Sequence, residues 1–396
     1  MDYYKTTIAL AIGILIVLMT IVLSNDNFDK RTRKGFVITF TLIIIGTISD
    51  LIGVVIDGKM SNNSIGIYIH IIAKWLELTI MPIIPIICSR NVFEMRRKNK
   101  NDKNILIKLC YLCIIIDEAL IFTNKINIID NNNIYHQVSA VYNWYIATFV
   151  VSMLYLFWNA LKFSNEYQND KNFELYSIIV FVVFCMFVQM TNQSVKICWI
   201  TVAISTTFIY IYYNGMIQNI DGMTKLLNQH SYQRTLERAD ETHFALVIFD
   251  ANDFKKINDQ LGHDTGDEVL KNVSNTIKQH YEKYGKCYRI GGDEFAVIIT
   301  KDVKNIEEIC KEFVKKVSFT REKYDNLPYI SYGYSIYYPN NKLEHSIKDT
   351  IKEADKMMYR HKEKSKKQQE QQQKQQQEQQ QEQQEEQQEE QQEQQM

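Results

Sequence analysis

Gly291-Gly292-Asp293-Glu294-Phe295 lies between two strand-like runs, Lys286 to Ile290 and Phe295 to Thr300. The pattern predicts a hairpin whose tip carries two adjacent carboxylates beside a backbone without side chains. Glycine permits positive φ and lets a bulky anion approach the main chain, and carboxylates suit hard cations such as Mg²⁺. The stretch indicates either a metal-dependent site for a phosphate compound or an ordinary turn with a solvated acidic pair.

A second carboxylate follows an apolar run. Phe244 to Phe249 ends at Asp250, which is typical of a buried strand that delivers an acid at its C-terminal end. The remaining pattern predicts an α+β domain in which helices cover one sheet, with helices over Asp264 to Tyr284, Asn305 to Glu322 and His345 to Lys364 and a strand over Tyr329 to Tyr337. If the strands that carry Asp250 and Asp293 are neighbours, the paired acids can hold two metal ions for phosphoryl transfer.

The first half of the chain contains apolar segments long enough to cross a hydrocarbon core. Seven spans are predicted, over Thr6 to Ser24, Phe36 to Ile56, Ile65 to Cys88, Ile105 to Phe122, Ser139 to Leu161, Glu174 to Met190 and Val195 to Tyr213. Lys and Arg cluster after the first and third spans, and such clusters mark cytoplasmic loops. We therefore expect the N-terminus outside and everything after Tyr213 in the cytoplasm, with the plasma membrane as the location.

Charged residues also fall inside the predicted spans, among them a close pair on the third span and another on the fourth. Lys74 and Glu77, three apart on the third span, either neutralise each other or line a sensory pocket for an unknown ligand. Asp117 and Glu118 lie deep in the fourth span, where charges are costly and usually face the interior of a helical bundle.

By composition, the 396-residue chain divides into an apolar first half, a mixed and charged middle and a Gln/Glu-rich end. The net charge of -1 gives no indication of a nucleic-acid partner. The seven cysteines lack metal-ligand spacing, and the Cys110-x-x-Cys113 pair is typical of helix packing. The Gln/Glu-rich end has too few apolar groups to form a core, so disorder without a catalytic role is expected. This tail, with an Asn-, Lys- and Ile-rich chain, suggests an AT-rich eukaryotic genome.

Residues 221–366 resemble the GGDEF family of diguanylate cyclases. The resemblance rests on ordered motifs: Asp221 to Thr224, Asp250 to Asp259, Gly262-His263, Gly266-Asp267, the Arg289 to Phe295 hairpin, Ser331 to Gly333, and Ala354-Asp355 with Tyr359 and Lys362. It implies a nucleotide-cyclase-like palm fold. The domain organisation is then a seven-helix transmembrane bundle over 1–213, a short linker helix over 214–220, a GGDEF domain over 221–367 and a low-complexity tail over 368–396.

The family resemblance also implies an activity. Two subunits of a homodimer each bind GTP, and each 3′-hydroxyl attacks the α-phosphate of the other nucleotide. The products are cyclic di-GMP and two pyrophosphates, which implies a role in second-messenger signalling, including development. The alternative is a receptor whose cytoplasmic domain binds GTP or partners without turnover.

The resemblance assigns roles to individual positions. Two Mg²⁺ ions, or Mn²⁺ as a substitute, would be held by Asp250, the Ala251 carbonyl and Asp293. Glu294 would assist metal binding or deprotonate the attacking hydroxyl. The guanine-binding and phosphate-binding positions are, respectively, Asn258 and Asp267, and Lys255, Gly291, Gly292, Lys362 and Lys366. Without the resemblance, the helix dipole is the better explanation of Lys362 and Lys366, because lysines are favoured near a helix C-terminus.

The chain departs from the family pattern at several positions. Asn252 replaces a common second Asp but keeps an oxygen ligand, and Lys366 replaces an Arg, which keeps the charge but loses bidentate recognition. Lys225 and Gln229 replace the Gly and Arg that usually extend the first motif. Glu282 and Gly285 stand where the family has its Arg-x-x-Asp product-inhibition site, so no such site is expected. Asp267 indicates GTP rather than ATP as the substrate.

Overall fold

The computed structural model describes residues 2–25, 28–59, 63–93, 105–123, 127–137, 139–168, 172–191, 196–239, 241–323, 327–341 and 345–367. The chain forms two compact units, Met1–Gln218 and Asn219–Met396. The boundary lies within the predicted connection 214–220. The predicted tail, 368–396, lies outside the described residues.

The described part of the N-terminal unit contains seven α-helices: α1 (Asp2–Ser24), α2 (Lys30–Ile56), α3 (Ser64–Cys88), α4 (Ile105–Phe122), α5 (Ser139–Glu166), α6 (Asn172–Thr191) and α7 (Cys198–Ile217). Side chains cap two of them, because Asp29 accepts from the Thr32 N–H and Asn63 from the Ile65 N–H. By length and composition, six of the described helices are apolar enough to cross a membrane. The exception, α4, carries Lys108, Asp117 and Glu118, and a count of seven spans remains a prediction.

A short hairpin of β1 (Asn127–Ile129) and β2 (Tyr135–Gln137) joins α4 to α5. The sequence did not predict it, because three-residue strands leave no clear alternation. The Asn133 side chain donates to the carbonyl oxygens of Ile56 and Lys59, at 3.3 and 2.6 Å. The hairpin thereby satisfies main-chain acceptors at the end of α2.

A buried ionic group lies between the first three helices. Lys74 Nζ is 2.7 Å from Glu77 Oε2, so the predicted neutralisation across one turn is present. Lys74 also lies 3.5 Å from Asp50 Oδ1, and Asp50 in turn accepts a hydrogen bond from the Tyr4 hydroxyl. The participation of Asp50 and Tyr4 was not predicted, since these residues are distant in sequence.

The C-terminal unit contains one antiparallel sheet in the order β4-β5-β3-β6. Its strands are β3 (Phe244–Ala251), β4 (Gly285–Arg289), β5 (Glu294–Ile299) and β6 (Ile330–Tyr337). All eight residues of β3 are buried, which explains its continuous apolar run. The predicted α+β architecture is confirmed.

Helices cover both faces of this sheet. On one face, α10 (His263–Tyr281) and α11 (Ile306–Lys323) pack on Val247 and Phe249 of β3. On the other, α8 (Gln229–Arg238) and α12 (347–367) pack on Leu246 and Ile248. Each large apolar side chain buried in this way contributes about 1.5–3 kcal/mol. The short α9 (Phe254–Leu261) follows β3 directly.

Close packing of α12 on β6 depends on Gly333. A Cβ atom at this position would lie 2.1 Å from the Ala354 carbonyl oxygen and 2.2 Å from the Met358 nitrogen. Only glycine fits without displacement of the helix backbone. This contact fixes the distance between the sheet and the helix that carries Lys362.

Candidate active site

The two predicted acidic positions meet at one end of the central strands. In the β3–β5 pair, Asp250 lies opposite Glu294, and the Ala251 N–H donates to the Asp293 carbonyl oxygen at 3.1 Å. Because β3 and β5 are antiparallel neighbours, the end of one strand and the start of the other lie side by side. The hairpin tip is therefore held directly beside Asp250.

The hairpin glycines do not use left-handed backbone. The glycines with positive φ in the described residues are Gly58 and Gly262, so Gly291 and Gly292 do not adopt the positive φ that glycine permits. The space around the two glycines differs. A Cβ on Gly291 would lie 2.8 Å from Glu294 Oε2, whereas one on Gly292 would meet nothing within 4 Å. Gly291 thus leaves room for the Glu294 carboxylate, and the tip at Gly292 is open.

Arg289 holds the hairpin tip to the start of the domain. Its Nη2 and Nε donate to the Gly292 carbonyl oxygen at 2.7 and 3.2 Å, and its Nη1 donates to Asp221 Oδ1 at 3.1 Å. Burial opposes ionisation of Asp221, but hydrogen bonds from Thr224 and the Arg289 guanidinium hold its pKa below the ordinary value. The sequence placed both residues in motifs without assigning this bridge between them.

The end of β3 is rich in negative charge. Burial raises the pKa of Glu294, and the nearby carboxylates of Asp250 and Asp293 raise it further, while Lys362 opposes them. Lys362 Nζ lies 2.7 Å from Asp250 Oδ1. Crowded carboxylates of this kind require positive charge, which Lys362 supplies in part.

The oxygen atoms at this edge fit a hard divalent cation. Besides Asp250 and Asp293, the buried Asn252 presents an Oδ1 that has no hydrogen-bond partner in the described part of the chain. Carboxylate, amide and main-chain oxygens are the ligands that Mg²⁺ prefers. The described residues contain no preformed group of three or more His, Cys, Asp or Glu ligands. The oxygen donors thus lie together at one edge of the sheet. A bound Mg²⁺ ion would need further oxygen ligands, from outside this set, to fill its coordination shell.

The two predicted guanine-binding residues lie on adjoining helices. Asn258 is on α9 and Asp267 on α10, both half-buried, and Gly262 with φ +86° joins the helices. A Cβ on Gly266 would lie 1.8 Å from Asn258 Oδ1. Gly266 therefore allows the Asn258 amide to approach α10 beside Asp267.

The predicted phosphate-binding lysines differ in their surroundings. Lys362 is half-buried and contacts Asp250, whereas Lys255 on α9 and Lys366 on α12 are exposed. The structure thus brings Lys362 into contact with the acidic edge and leaves the other two on the surface.

Residues 218–368 match the family model described as diguanylate cyclase, GGDEF domain. The C-terminal unit is a GGDEF domain. The probable diguanylate cyclase DgcI of Escherichia coli (strain K12) is 40% identical over 108 residues, which cover 27% of this chain and 24% of that relative. Diguanylate cyclase DgcS of Shewanella oneidensis is 33% identical over 100 residues, which cover 24% of this chain and 34% of that relative.

Among solved structures, the GGDEF domain of DgcB from Caulobacter crescentus in complex with c-di-GMP is 27% identical. The match has a TM-score of 0.32 and covers 37% of this chain and 90% of that chain. Against DgcI and DgcS, the matched residues span only 24% and 34% of the relatives' lengths.

Two departures from the family pattern have structural consequences in this GGDEF domain. Lys225 has φ +62°, a left-handed conformation in which a side chain costs about 1 kcal/mol, so the usual glycine there is explained. Gly285 opens β4, and a Cβ there would lie 2.0 Å from the Ile298 carbonyl oxygen. A side chain at position 285 would therefore need a shift of this strand pairing.

Proposed function

We propose that this chain is a membrane-bound diguanylate cyclase that condenses two GTP molecules into cyclic di-GMP and two pyrophosphates. The observation that carries the proposal is the alignment of Asp250 with Glu294 across β3 and β5, with Asp293 held beside them by the Ala251 N–H. The names of the similar diguanylate cyclases DgcI and DgcS support the same activity.

In the proposed site, Asp250, Asp293 and the Ala251 carbonyl would hold two Mg²⁺ ions, with Asn252 Oδ1 as a further donor. When bound, the ions would neutralise phosphate charge and acidify the attacking hydroxyl. Lys362, which pairs with Asp250, would transfer part of its interaction to the triphosphate. Lys255 and Lys366 would add positive charge from the surface.

The bond changes are those of a nucleotidyl transfer. The 3′-oxygen of one GTP forms a bond to the α-phosphorus of the other, and the bond from that phosphorus to the bridging oxygen of pyrophosphate breaks. Glu294 accepts the hydroxyl proton; its raised pKa makes it a stronger base than an ordinary glutamate. Repetition from the second nucleotide closes the ring, so each half of a homodimer supplies one GTP.

Substrate selection would lie between α9 and α10. Asn258 supplies both a donor and an acceptor, and ionised Asp267 supplies acceptors. Acceptors at Asp267 suit the ring N–H and amino group of guanine, which adenine does not present in the same arrangement. We therefore propose GTP as the preferred substrate.

The six candidate spans support a membrane location. Counting α4 as a seventh span, we propose that the N-terminus lies outside, that the GGDEF domain is cytoplasmic, and that the plasma membrane is the site of second-messenger synthesis. This orientation is inferred from the basic segments 30–34 and 90–103, because Lys and Arg accumulate in cytoplasmic loops.

The test is cyclic di-GMP synthesis by the full-length chain in membranes supplied with GTP and Mg²⁺. Asp250→Asn should reduce the rate by about 100-fold or more, because it removes a metal-binding charge. Glu307→Gln is the matched control, since Glu307 is an exposed acid on α11 paired with Lys311. GTP binding without product in the unmodified chain would instead support the receptor alternative.

A further inference from the structure

The proposed metal-binding acid Asp250 has a cross-strand neighbour on each side. Its strand, β3, pairs with β5, where Glu294 lies opposite Asp250, and with β6, where Ser331 lies opposite Asp250. Residues directly opposite in an antiparallel pair point to the same face of the sheet, with Cβ atoms about 4.5–5.5 Å apart. The register therefore places the Ser331 side chain beside the Asp250 carboxylate.

Ser331 lies on the face of the sheet that α12 covers. Side chains alternate along a strand, so Ser331 shares a face with Gly333 and Ser335. Gly333 lies against main-chain atoms of α12, and Ser335 Oγ donates to Glu353 Oε2 of the same helix at 2.8 Å. This is also the side from which α12 reaches Asp250, so Ser331 and α12 meet the same carboxylate.

The Ser331 hydroxyl is buried without a partner. Ser331 is 0% exposed, and its Oγ has no hydrogen-bond partner in the described part of the chain. A buried hydroxyl in this state is costly and calls for an explanation. Lys362 Nζ lies 2.7 Å from Asp250 Oδ1 as an ion pair, but this oxygen accepts no aligned hydrogen bond among the described residues. A free donor and an available acceptor thus lie opposite each other on β6 and β3.

The Asp250 carboxylate needs a further donor most when its ion pair with Lys362 is weakened. In the proposed reaction, Lys362 gives part of its interaction to the triphosphate. A carboxylate has about four acceptor sites, so it can bind a metal ion and still accept from a hydroxyl. Hydrogen bonds to a metal-binding carboxylate fix its orientation and strengthen the site.

We propose that Ser331 is a positioning residue, whose hydroxyl donates to the Asp250 carboxylate when Asp250 binds a divalent cation and Lys362 contacts the triphosphate. This inference rests on the proposed diguanylate cyclase function. Rotation about the Cα–Cβ bond of Ser331 brings its Oγ within reach of the carboxylate without movement of either strand. Ser331 acts on the nucleotide only through Asp250.

The test measures metal binding separately from turnover. The full-length chain in lipid nanodiscs is mixed with 3′-deoxy-GTP, which lacks the attacking hydroxyl, and Mn²⁺ binding is followed by electron paramagnetic resonance. Binding that is lost in Asp250→Asn defines the site. Ser331→Ala should raise the Mn²⁺ concentration that half-saturates this site about tenfold, because a hydrogen bond that orients a metal ligand is lost. The Mg²⁺ concentration for half-maximal cyclic di-GMP synthesis should rise similarly, with KM for GTP at saturating Mg²⁺ unchanged.

Ser335→Ala is the matched control, because it removes a buried hydroxyl from the same strand and face at a position opposite Leu246. It should lower Tm through loss of the Glu353 hydrogen bond and leave both metal concentrations unchanged. Ser331→Cys, a change to a weak donor of similar size, should give a smaller effect than Ser331→Ala and replaces it if the alanine variant does not fold. Unchanged metal concentrations in the Ser331 variants, or an equal rise in Ser335→Ala, would overturn the proposal.

The two measurements separate the role of Ser331 from the cyclase activity itself. If the unmodified chain makes cyclic di-GMP and Ser331→Ala has the same metal dependence, only the role of Ser331 is contradicted. If the unmodified chain binds Mn²⁺ with 3′-deoxy-GTP but makes no cyclic di-GMP from GTP, the cyclase activity is contradicted, and the Mn²⁺ comparison still decides the role of Ser331.

Discussion

At the scale of single residues, crowding of carboxylates determines how the active-site edge responds to pH. Asp250, Asp293 and Glu294 lie at the junction of β3 and β5, and burial together with the neighbouring acids raises the pKa of Glu294. Ionisation of Glu294 is therefore less favourable in the folded domain than in the unfolded chain. Its contribution to stability is present at low pH and is lost as the pH rises through the raised pKa.

Glu294→Gln should consequently raise the Tm of the GGDEF domain at pH 8 in metal-free buffer, because glutamine removes the repulsion. The gain should vanish as the pH falls below 4.5, the ordinary glutamate pKa, since Glu294 is then protonated in both states. The measurement is the Tm difference between the two proteins across pH in EDTA. Glu308→Gln, at an exposed acid of α11, is the control; a gain that is independent of pH would contradict this explanation.

Sequence was informative about site residues where the chemistry follows from position along the chain. Asp250 and Asp293 could be predicted because each terminates or begins an apolar strand. The Arg289 bridge from Asp221 to Gly292 could not, because it joins residues that are 68 positions apart in the chain. The backbone φ of the hairpin glycines could not be predicted either, because φ depends on the turn geometry, which the pentapeptide alone does not fix.

At the scale of helices and strands, α12 connects the sheet with the proposed phosphate-binding lysines. Its approach to β6 depends on Gly333, and Lys362 follows one turn after the contact at Met358. Displacement of α12 would move Lys362 away from Asp250.

Gly333→Ala should therefore lower both stability and activity. The added methyl group meets main-chain atoms that cannot rotate away, so a loss of about 1–3 kcal/mol in the free energy of unfolding is expected. Denaturant unfolding of the GGDEF domain and cyclic di-GMP synthesis by the full-length chain measure the two effects. Gly222→Ala is the control, because a Cβ there meets nothing within 4 Å; equal behaviour of both variants would contradict the packing argument.

Long periodic elements were predicted within a few residues, including α10, α11 and the strands of the main sheet. Several short elements were missed, among them α8 and the strands β1 and β2. The helix α8 has ten residues, too few for a helical periodicity of apolar residues to be recognised. The strands of the β1–β2 hairpin have three residues each, too few for an alternation of apolar and polar residues. Both are determined by packing and capping contacts more than by local pattern.

At the scale of the whole molecule, the proposed reaction needs two subunits, because the GTP bound by one subunit must react with the GTP bound by the other. An inactive subunit should therefore suppress an active one. Coexpression of Asp250→Asn with the unmodified chain at equal levels should reduce cyclic di-GMP per active subunit by about half, since random pairing places half of the active subunits in mixed dimers. Coexpressed Glu307→Gln should leave it unchanged; full activity of mixed pairs would exclude the dimeric mechanism.

The proposed topology follows from the basic loops of the N-terminal unit. Epitope tags at the two ends of the chain should differ in their accessibility to antibody in intact cells. External antibody should bind the N-terminal tag, and it should bind the C-terminal tag only after permeabilisation. Replacing Arg31, Arg33 and Lys34 with Gln should weaken this preference. External exposure of both tags, or of neither, would contradict an odd number of spans.

The most direct test of the central claim is the product stoichiometry of the purified full-length chain with GTP and Mg²⁺. Mass spectrometry of the nucleotide and an enzymatic assay of pyrophosphate should give one cyclic di-GMP and two pyrophosphates for every two GTP consumed, with both products lost in Asp293→Asn. Release of GDP and phosphate, or retention of GTP without turnover by a folded protein, would contradict the assignment as a diguanylate cyclase.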